Sequence, residues 1–255
     1  MPRYPQCSFT AEGLSDQVYS ELVALANAQS GPVYWLNVGD SYLDPLPGAR
    51  AEDQKAAEHP RLHNYAAVQG EPLLLRAIVE RMRRRSGVEL DPECVQVQSG
   101  ATNGLAVVCS VLLDPGDEVL LPSPFWPLIR GIISCRGCTP VEIPLYTRLG
   151  EPDFDPLAAL HAALTPRTTA IYLNSPHNPT GVVLEDELVV EIGRFAKRHH
   201  LWLMTDEVYE EIWYSQQQPT HLFDHEIMRE RTVATHSVSK SYALAGARVG
   251  FTHGP

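Results

Sequence analysis

Between residues 94 and 235, short apolar runs alternate with longer segments of helical periodicity, and this alternation constrains the fold more than any other feature of the chain. Apolar runs bounded by turn residues read as buried strands over 94–98, 118–121, 140–144, 169–173, 201–204 and 232–235. The segments between them predict helices over 102–112, 128–134, 157–164 and 185–199, the last with Leu188, Ile192, Phe195 and Ala196 on one stripe. Strand and helix in turn at this spacing predict a three-layer α/β fold, a mostly parallel sheet flanked by helices. Upstream, Pro72 opens and Gly87 closes a further helix, whose last turn carries Arg83, Arg84 and Arg85. Basic residues there suit the negative end of a helix dipole and do not call for nucleic acid. A helical stripe over 15–29 and an extended run over 35–40 precede a Pro/Gly-rich passage at 44–48. We therefore divide the chain into an N-terminal arm, 1–46, and a main domain, 47–255.

The net charge of −11 disfavours nucleic acid and anionic membrane surfaces as partners, so any bound anion must be held by local arginines and backbone amides. Residues 1–13 lack the apolar core of a signal peptide, and the longest apolar stretch, 105–113, is too short to span a bilayer. Five scattered cysteines read as reduced thiols, and we expect a cytoplasmic protein. Cys135 and Cys138 make a lone C-x-x-C without the second pair that zinc requires. His221 and His225 stand four apart, but Pro219 precedes them and further ligands are lacking; the segment reads as a polar surface loop, and no metal is expected. A G-x-G is missing from the chain, as is a Y-x-x-x-K, which disfavours nicotinamide dehydrogenases.

In an open α/β sheet, ligands sit beyond the carboxyl ends of the strands. Four of the expected strands run directly into unusual polar clusters: Ser99-Gly100-Ala101-Thr102-Asn103-Gly104, Asn174-Ser175-Pro176-His177-Asn178-Pro179-Thr180-Gly181, Thr205-Asp206-Glu207-Val208-Tyr209, and the segment from His236 to Gly250. One such cluster is a turn, whereas four on one sheet edge make a site. In the last, Lys240 is flanked by Ser237, Ser239 and Ser241, with Arg248 eight residues on. Small residues allow close backbone approach, hydroxyls donate, and an arginine forks onto an oxyanion. Lys240 is then a nucleophilic amine in a pocket fit for a phosphorylated ligand, which is the chemistry of a Schiff base to an aldehyde cofactor. Ser237 to Lys240 also form an S-x-x-K, the nucleophile motif of penicillin-recognising acyl transferases, but the S-D-N and K-T-G partners are missing.

Together the four clusters resemble, in order and spacing, the class I/II aminotransferases, the fold-type-I proteins that use pyridoxal 5′-phosphate. N-x-P-x-N-P-T-G and S-x-S-K-x-Y-x-x-x-G-x-R carry most of that resemblance. It implies an aminotransferase moving an amino group between an L-amino acid and a 2-oxo acid. It further implies that Lys240 binds the cofactor covalently and moves the substrate proton, that Asp206 pairs with the pyridine nitrogen, and that Asn178 and Tyr209 hydrogen-bond the phenolic oxygen. Trp126 would stack on the ring, while Ala101, Thr102, Ser237 and Arg248 would form the phosphate cup; Ser239 serves either that cup or its local turn. Gly39 and Asn178 would line the substrate side. Tyr65 matches a tyrosine delivered to the neighbouring subunit's phosphate, which implies a homodimer in the full-length form. The same motifs fit a carbon–sulfur β-lyase, a cyclopropane-forming (ACC-synthase-like) enzyme, or a non-catalytic cofactor-binding module. The family's arginine for the substrate α-carboxylate lies in a C-terminal small domain, to which part of residues 1–46 would also belong. The chain stops at Pro255 before such a segment, so we expect an incomplete, poorly active form.

Overall fold

Strand formation follows from apolar runs that are buried on both faces. The computed structural model describes residues 7–12, 22–36, 38–53, 58, 60–61, 63–216 and 218–255. Its strands are β1 (Val95–Gln98), β2 (Glu118–Ser123), β3 (Thr139–Pro144), β4 (Thr168–Asn174), β5 (Trp202–Asp206), β6 (Thr232–Ser237) and β7 (Gly250–His253). They form one sheet in the order β1-β7-β6-β5-β4-β2-β3. Only β7 runs antiparallel to its neighbours, between β1 and β6. The mostly parallel sheet predicted from the sequence is thus present, with β7 as an addition the periodicity does not reveal.

The helices are α1 (Phe9–Glu12), α2 (Leu22–Asn27), α3 (Pro72–Ser86), α4 (Ala101–Leu112), α5 (Pro127–Cys135), α6 (Pro156–Ala162), α7 (Asp186–His199) and α8 (Glu226–Arg229). Of the helical stripe predicted over 15–29, α2 covers part, and residues 15–21 lie outside the described residues. Alternate strand residues serve opposite layers. Leu120, Ile171, Leu173 and Leu203 pack with Leu160 of α6, Ile192 and Phe195 of α7, and Met228 of α8. Their neighbours Val119, Leu121, Ala170, Tyr172 and Met204 pack with Leu105 and Val108 of α4 and Ile129 and Ile133 of α5. Each fully buried Leu or Ile is worth about 1.5–3 kcal/mol, so this double burial fixes the strand register. The helix α3 covers the β1 end through Leu75 and Ile78, which meet Val95 and Phe251. It stops where Gly87 adopts a left-handed φ of 72° and caps the Arg83 carbonyl.

Several strands extend one or two residues beyond their apolar runs, and the added residues are polar. Asn174 and Asp206 lie opposite each other in the β4–β5 ladder, and Ser237 lies opposite Gly250 in the β6–β7 ladder. Backbone pairing carries these side chains into rigid register at the carboxyl edge of the sheet.

Candidate active site

An anion cup is built where β7 passes the start of α4. Gly100, at φ 80°, turns the chain from β1 into α4, so the free N–H groups of Ala101 and Thr102 point out of the sheet edge at the positive end of the helix dipole. Gly250 lets β7 come this close: a Cβ there would lie 2.9 Å from the Ala101 nitrogen and 2.6 Å from the His236 carbonyl oxygen. Two residues earlier Arg248 adopts a left-handed φ of 52°, and a Cβ on Gly100 would sit 2.5 Å from its Nη2. Its Nη1 donates to the Ala245 carbonyl at 2.8 Å and to Ser239 Oγ at 3.4 Å. Ser237 Oγ donates to Ser239 Oγ at 2.8 Å and accepts from the Ser239 N–H at 3.0 Å. The two hydroxyls and the guanidinium form one connected group.

At the other end of the same cavity, of about 640 Å³, stand the groups with reactive chemistry. The Lys240 amine donates to the Gly39 carbonyl. A side chain on Gly39 would meet Tyr209 Oη at 3.5 Å and Lys240 Nζ at 3.8 Å, so the glycine keeps that wall open. Asn178 Nδ2 donates to Tyr209 Oη at 3.3 Å. Asp206 ends β5, 6% exposed; its Oδ2 accepts from the Tyr172 hydroxyl at 2.8 Å and its Oδ1 from the Val208 N–H at 3.2 Å. Burial raises its carboxyl to about 6, against the pull of those two donors. Burial, and then the nearby Asp206, raise the Tyr209 phenol above its ordinary value. Asn174 joins two loops: its Nδ2 donates to the Asp206 carbonyl and its Oδ1 accepts from the Asn178 N–H, both at 2.7 Å. Trp126 and Phe125 close the wall contributed by the β2–α5 connection.

The cavity thus brings together Gly39, Ala101, Thr102, Trp126, Asn178, Asp206, Tyr209, Ser237, Lys240 and Arg248. Tyr65 lies apart, its side chain fully exposed. Sequence reasoning gave no role to Asn174, which lines the cavity, or to Tyr172, whose hydroxyl is buried against Asp206. Only the position of Asn174 at the end of an apolar run signalled it; nothing local signalled Tyr172.

The reading of His221 as part of a polar surface loop is overturned, because that residue is 2% exposed. Its Nδ1 lies 2.5 Å from Glu207 Oε2 and its Nε2 lies 3.0 Å from Glu210 Oε2, while His236 Nδ1 lies 3.2 Å from the same Glu210 oxygen. Burial opposes charge on His221, but the two carboxylates raise it to about 9. Burial likewise opposes ionisation of Glu207, yet His221 holds it at about 2. Arg85 Nε also contacts His221 Nε2, which suits only a neutral ring. A carboxylate on each side decides for the imidazolium, with Arg85 held by the Pro219 carbonyl at 2.9 Å. Glu207, His221 and His236 carry donor atoms within 4.8 Å of one another. Arg81 already pairs with Glu210 at 3.0 Å and Arg85 adjoins His221, so the positive charge is supplied from within and we assign no metal.

A lysine, a buried carboxylate and an arginine beside a helix N-terminus thus share one cavity at the carboxyl edge of a three-layer, mostly parallel sheet. Residues 32–255 match the family of class I and II aminotransferases, and the chain belongs to it. It is 37% identical, over 91% of its length and 58% of the relative's, to an arginine–pyruvate transaminase of Pseudomonas aeruginosa. It is 34% identical to an aspartate/prephenate aminotransferase of Thermus thermophilus, over 75% of this chain and 48% of that one. A solved structure of a single mutant of the Thermus thermophilus aspartate aminotransferase superposes with a TM-score of 0.88 at 27% identity, covering 99% of this chain and 65% of that one. The chain therefore spans about half to three-fifths of the length of these curated relatives.

Proposed function

We propose that the chain is the cofactor-binding part of a pyridoxal 5′-phosphate-dependent aminotransferase that moves an amino group between an L-amino acid and a 2-oxo acid. The observation that carries this reading is the meeting of Lys240, Asp206 and the Arg248 cup in one cavity. The residues fit the group. A helix N-terminus, a guanidinium and two hydroxyls suit a phosphate dianion, and a buried carboxylate with spare lone pairs suits a protonated ring nitrogen. When bound, the cofactor supplies an electron-withdrawing ring that weakens the bonds at the amino acid's Cα.

This chain's residues do the rest. Lys240 would hold the cofactor through Nζ, and its amine is the group placed to move a proton at the substrate's Cα. Asp206 would keep the ring nitrogen protonated, Asn178 and Tyr209 would hold the phenolic oxygen, and Trp126 would supply an aromatic surface for the ring. Ala101, Thr102, Ser237 and Arg248 hold the phosphate. Gly39, with Asn178, leaves room for the substrate. The relatives named above, transaminases of amino acids, support the reaction class.

We further propose that residues 1–46 form an arm and small-domain segment and 47–255 the large domain of a full-length homodimer. There the exposed Tyr65 side chain would reach the neighbouring phosphate. Free cysteines support a cytoplasmic setting, and no helix among the described residues is long and apolar enough to cross a membrane. Incubation with pyridoxal 5′-phosphate, borohydride reduction, digestion and mass spectrometry should find a pyridoxyl group on Lys240. No mark, or a mark on Lys55 or Lys197, would overturn the proposal.

A further inference from the structure

We propose that Tyr172 is a positioning residue: its hydroxyl, donating to Asp206 Oδ2 at 2.8 Å, holds that carboxylate ionised and in one rotamer, ready for the ring nitrogen of the cofactor. The inference rests on the reading of the cavity given above. Tyr172 sits on β4 between Ile171 and Leu173, with only 1% of its surface exposed, and its ring packs in the layer formed by α4 and α5. A phenylalanine would fill that space equally well. A buried hydroxyl is tolerated only when partnered, and its partner here is the carboxylate, contributed by the adjacent strand.

Without the hydroxyl, the donors to the Asp206 carboxylate among the described residues reduce to the Val208 N–H, at 3.2 Å on the other oxygen. Burial already pushes this carboxyl to about 6, so a donor that favours the anion decides whether it is charged near neutrality. One donor on each oxygen also fixes the carboxylate plane while leaving lone pairs on both for a ligand N–H. Burial and the neighbouring Asp206 hold the Tyr172 phenol well above its ordinary range, so it remains a donor.

The test reads Asp206 directly, in the chain without cofactor. Aspartate labelled with ¹³C at Cγ is titrated by NMR, with Asp206→Asn assigning the resonance. Tyr172→Phe should raise the Asp206 midpoint by about one pH unit. Replacing Tyr172 with 3-fluorotyrosine, a stronger donor of nearly the same shape, should lower it. A midpoint unmoved in both overturns the proposal, because a purely packing role predicts no shift in either. With ¹⁵N-labelled pyridoxal 5′-phosphate added, Tyr172→Phe should move the ring nitrogen signal toward the neutral value while phosphate contacts persist. If the Asp206 midpoint responds but the unsubstituted chain takes no cofactor on Lys240, the reading of the cavity fails and the Tyr172–Asp206 coupling stands. If the cofactor binds and the midpoint does not respond, the coupling alone fails.

Discussion

Arg248 depends on two backbone facts, its own left-handed φ of 52° and the missing Cβ of Gly100. Its link to Ser239 orients the fork toward the N-terminus of α4 before any anion arrives. Arg248→Ala should therefore weaken pyridoxal 5′-phosphate affinity by about 10- to 100-fold, measured calorimetrically, with Lys240 still marked at saturating cofactor. Unchanged affinity would remove Arg248 from the cup. Asp206→Asn keeps the shape and discards the charge. The mark on Lys240 should persist, while exchange of an amino acid's α-deuterium with solvent slows by about 10²- to 10³-fold. Equal exchange rates would mean that the charge is not used. These residues were legible because each belongs to a polar cluster that directly follows an apolar run. Tyr172 was not, since it looks like one more strand residue until β5 brings Asp206 beside it. His221 escaped for the same reason: its partners Glu207 and Glu210 come from the segment after β5, and Arg85 from α3.

At the scale of elements, close approach is governed by glycines that cannot yield. A Cβ on Gly104, in the first turn of α4, would meet Thr235 Cγ2 at 3.0 Å and Thr252 Cγ2 at 3.1 Å, so this helix lies tight against β6 and β7. Gly250 is more restrictive because the atoms a Cβ would strike there are all backbone. Gly250→Ala must push β7 away from β6 and from the first turn of α4, at a cost of roughly 1–3 kcal/mol in urea unfolding. The same shift disturbs the Ala101 N–H, so affinity for pyridoxal 5′-phosphate should fall with stability. Gly150→Ala, with nothing within 4 Å of the new carbon, serves as the neutral control. A Gly250→Ala protein as stable as that control would contradict the packing described. The central strands and their helices were readable because double burial leaves continuous apolar runs, and periodicity separates these from the stripes of α5 and α7. The strand β7 was not: it is short, begins with glycine and includes Thr252 and His253, whose burial depends on β1 and β6 from elsewhere in the chain.

For the molecule as a whole, buried titratable groups set the pH range of stability. Burial holds His177 at about 4, and burial together with His236 holds His253 at about 3, both below the ordinary 6.5. A ring kept neutral in the fold takes up its proton more readily once unfolded, so stability is lost as pH falls below that ordinary value. Glu207, at about 2 against an ordinary 4.5, and Glu210, also lowered, extend the loss further into acid, where their ion pairs disappear. His221 has the opposite sign: its stabilisation is complete below 6.5 and is lost as pH rises through about 9. Asp206, raised from 3.8 to about 6, gains its proton more easily in the folded chain, so its stabilisation is lost as pH rises across that interval. Asp224, also raised by burial, has the same sign as Asp206, and two deeply lowered histidines and a pair of lowered glutamates outweigh these two raised carboxyls. The urea midpoint should therefore be highest near pH 6.5, with stability falling on the order of 2–4 kcal/mol by pH 4 and also declining as pH rises from 6.5 toward 9. His253→Gln, which keeps a polar group against His236 without a titrating ring, should flatten the acid side while leaving the alkaline fall through pH 9 in place. A midpoint that stays level from pH 7 to 4 would mean that these histidines reach solvent before they protonate, and the buried network beneath Asp206 would then be looser than the packing of β6 against β7 requires.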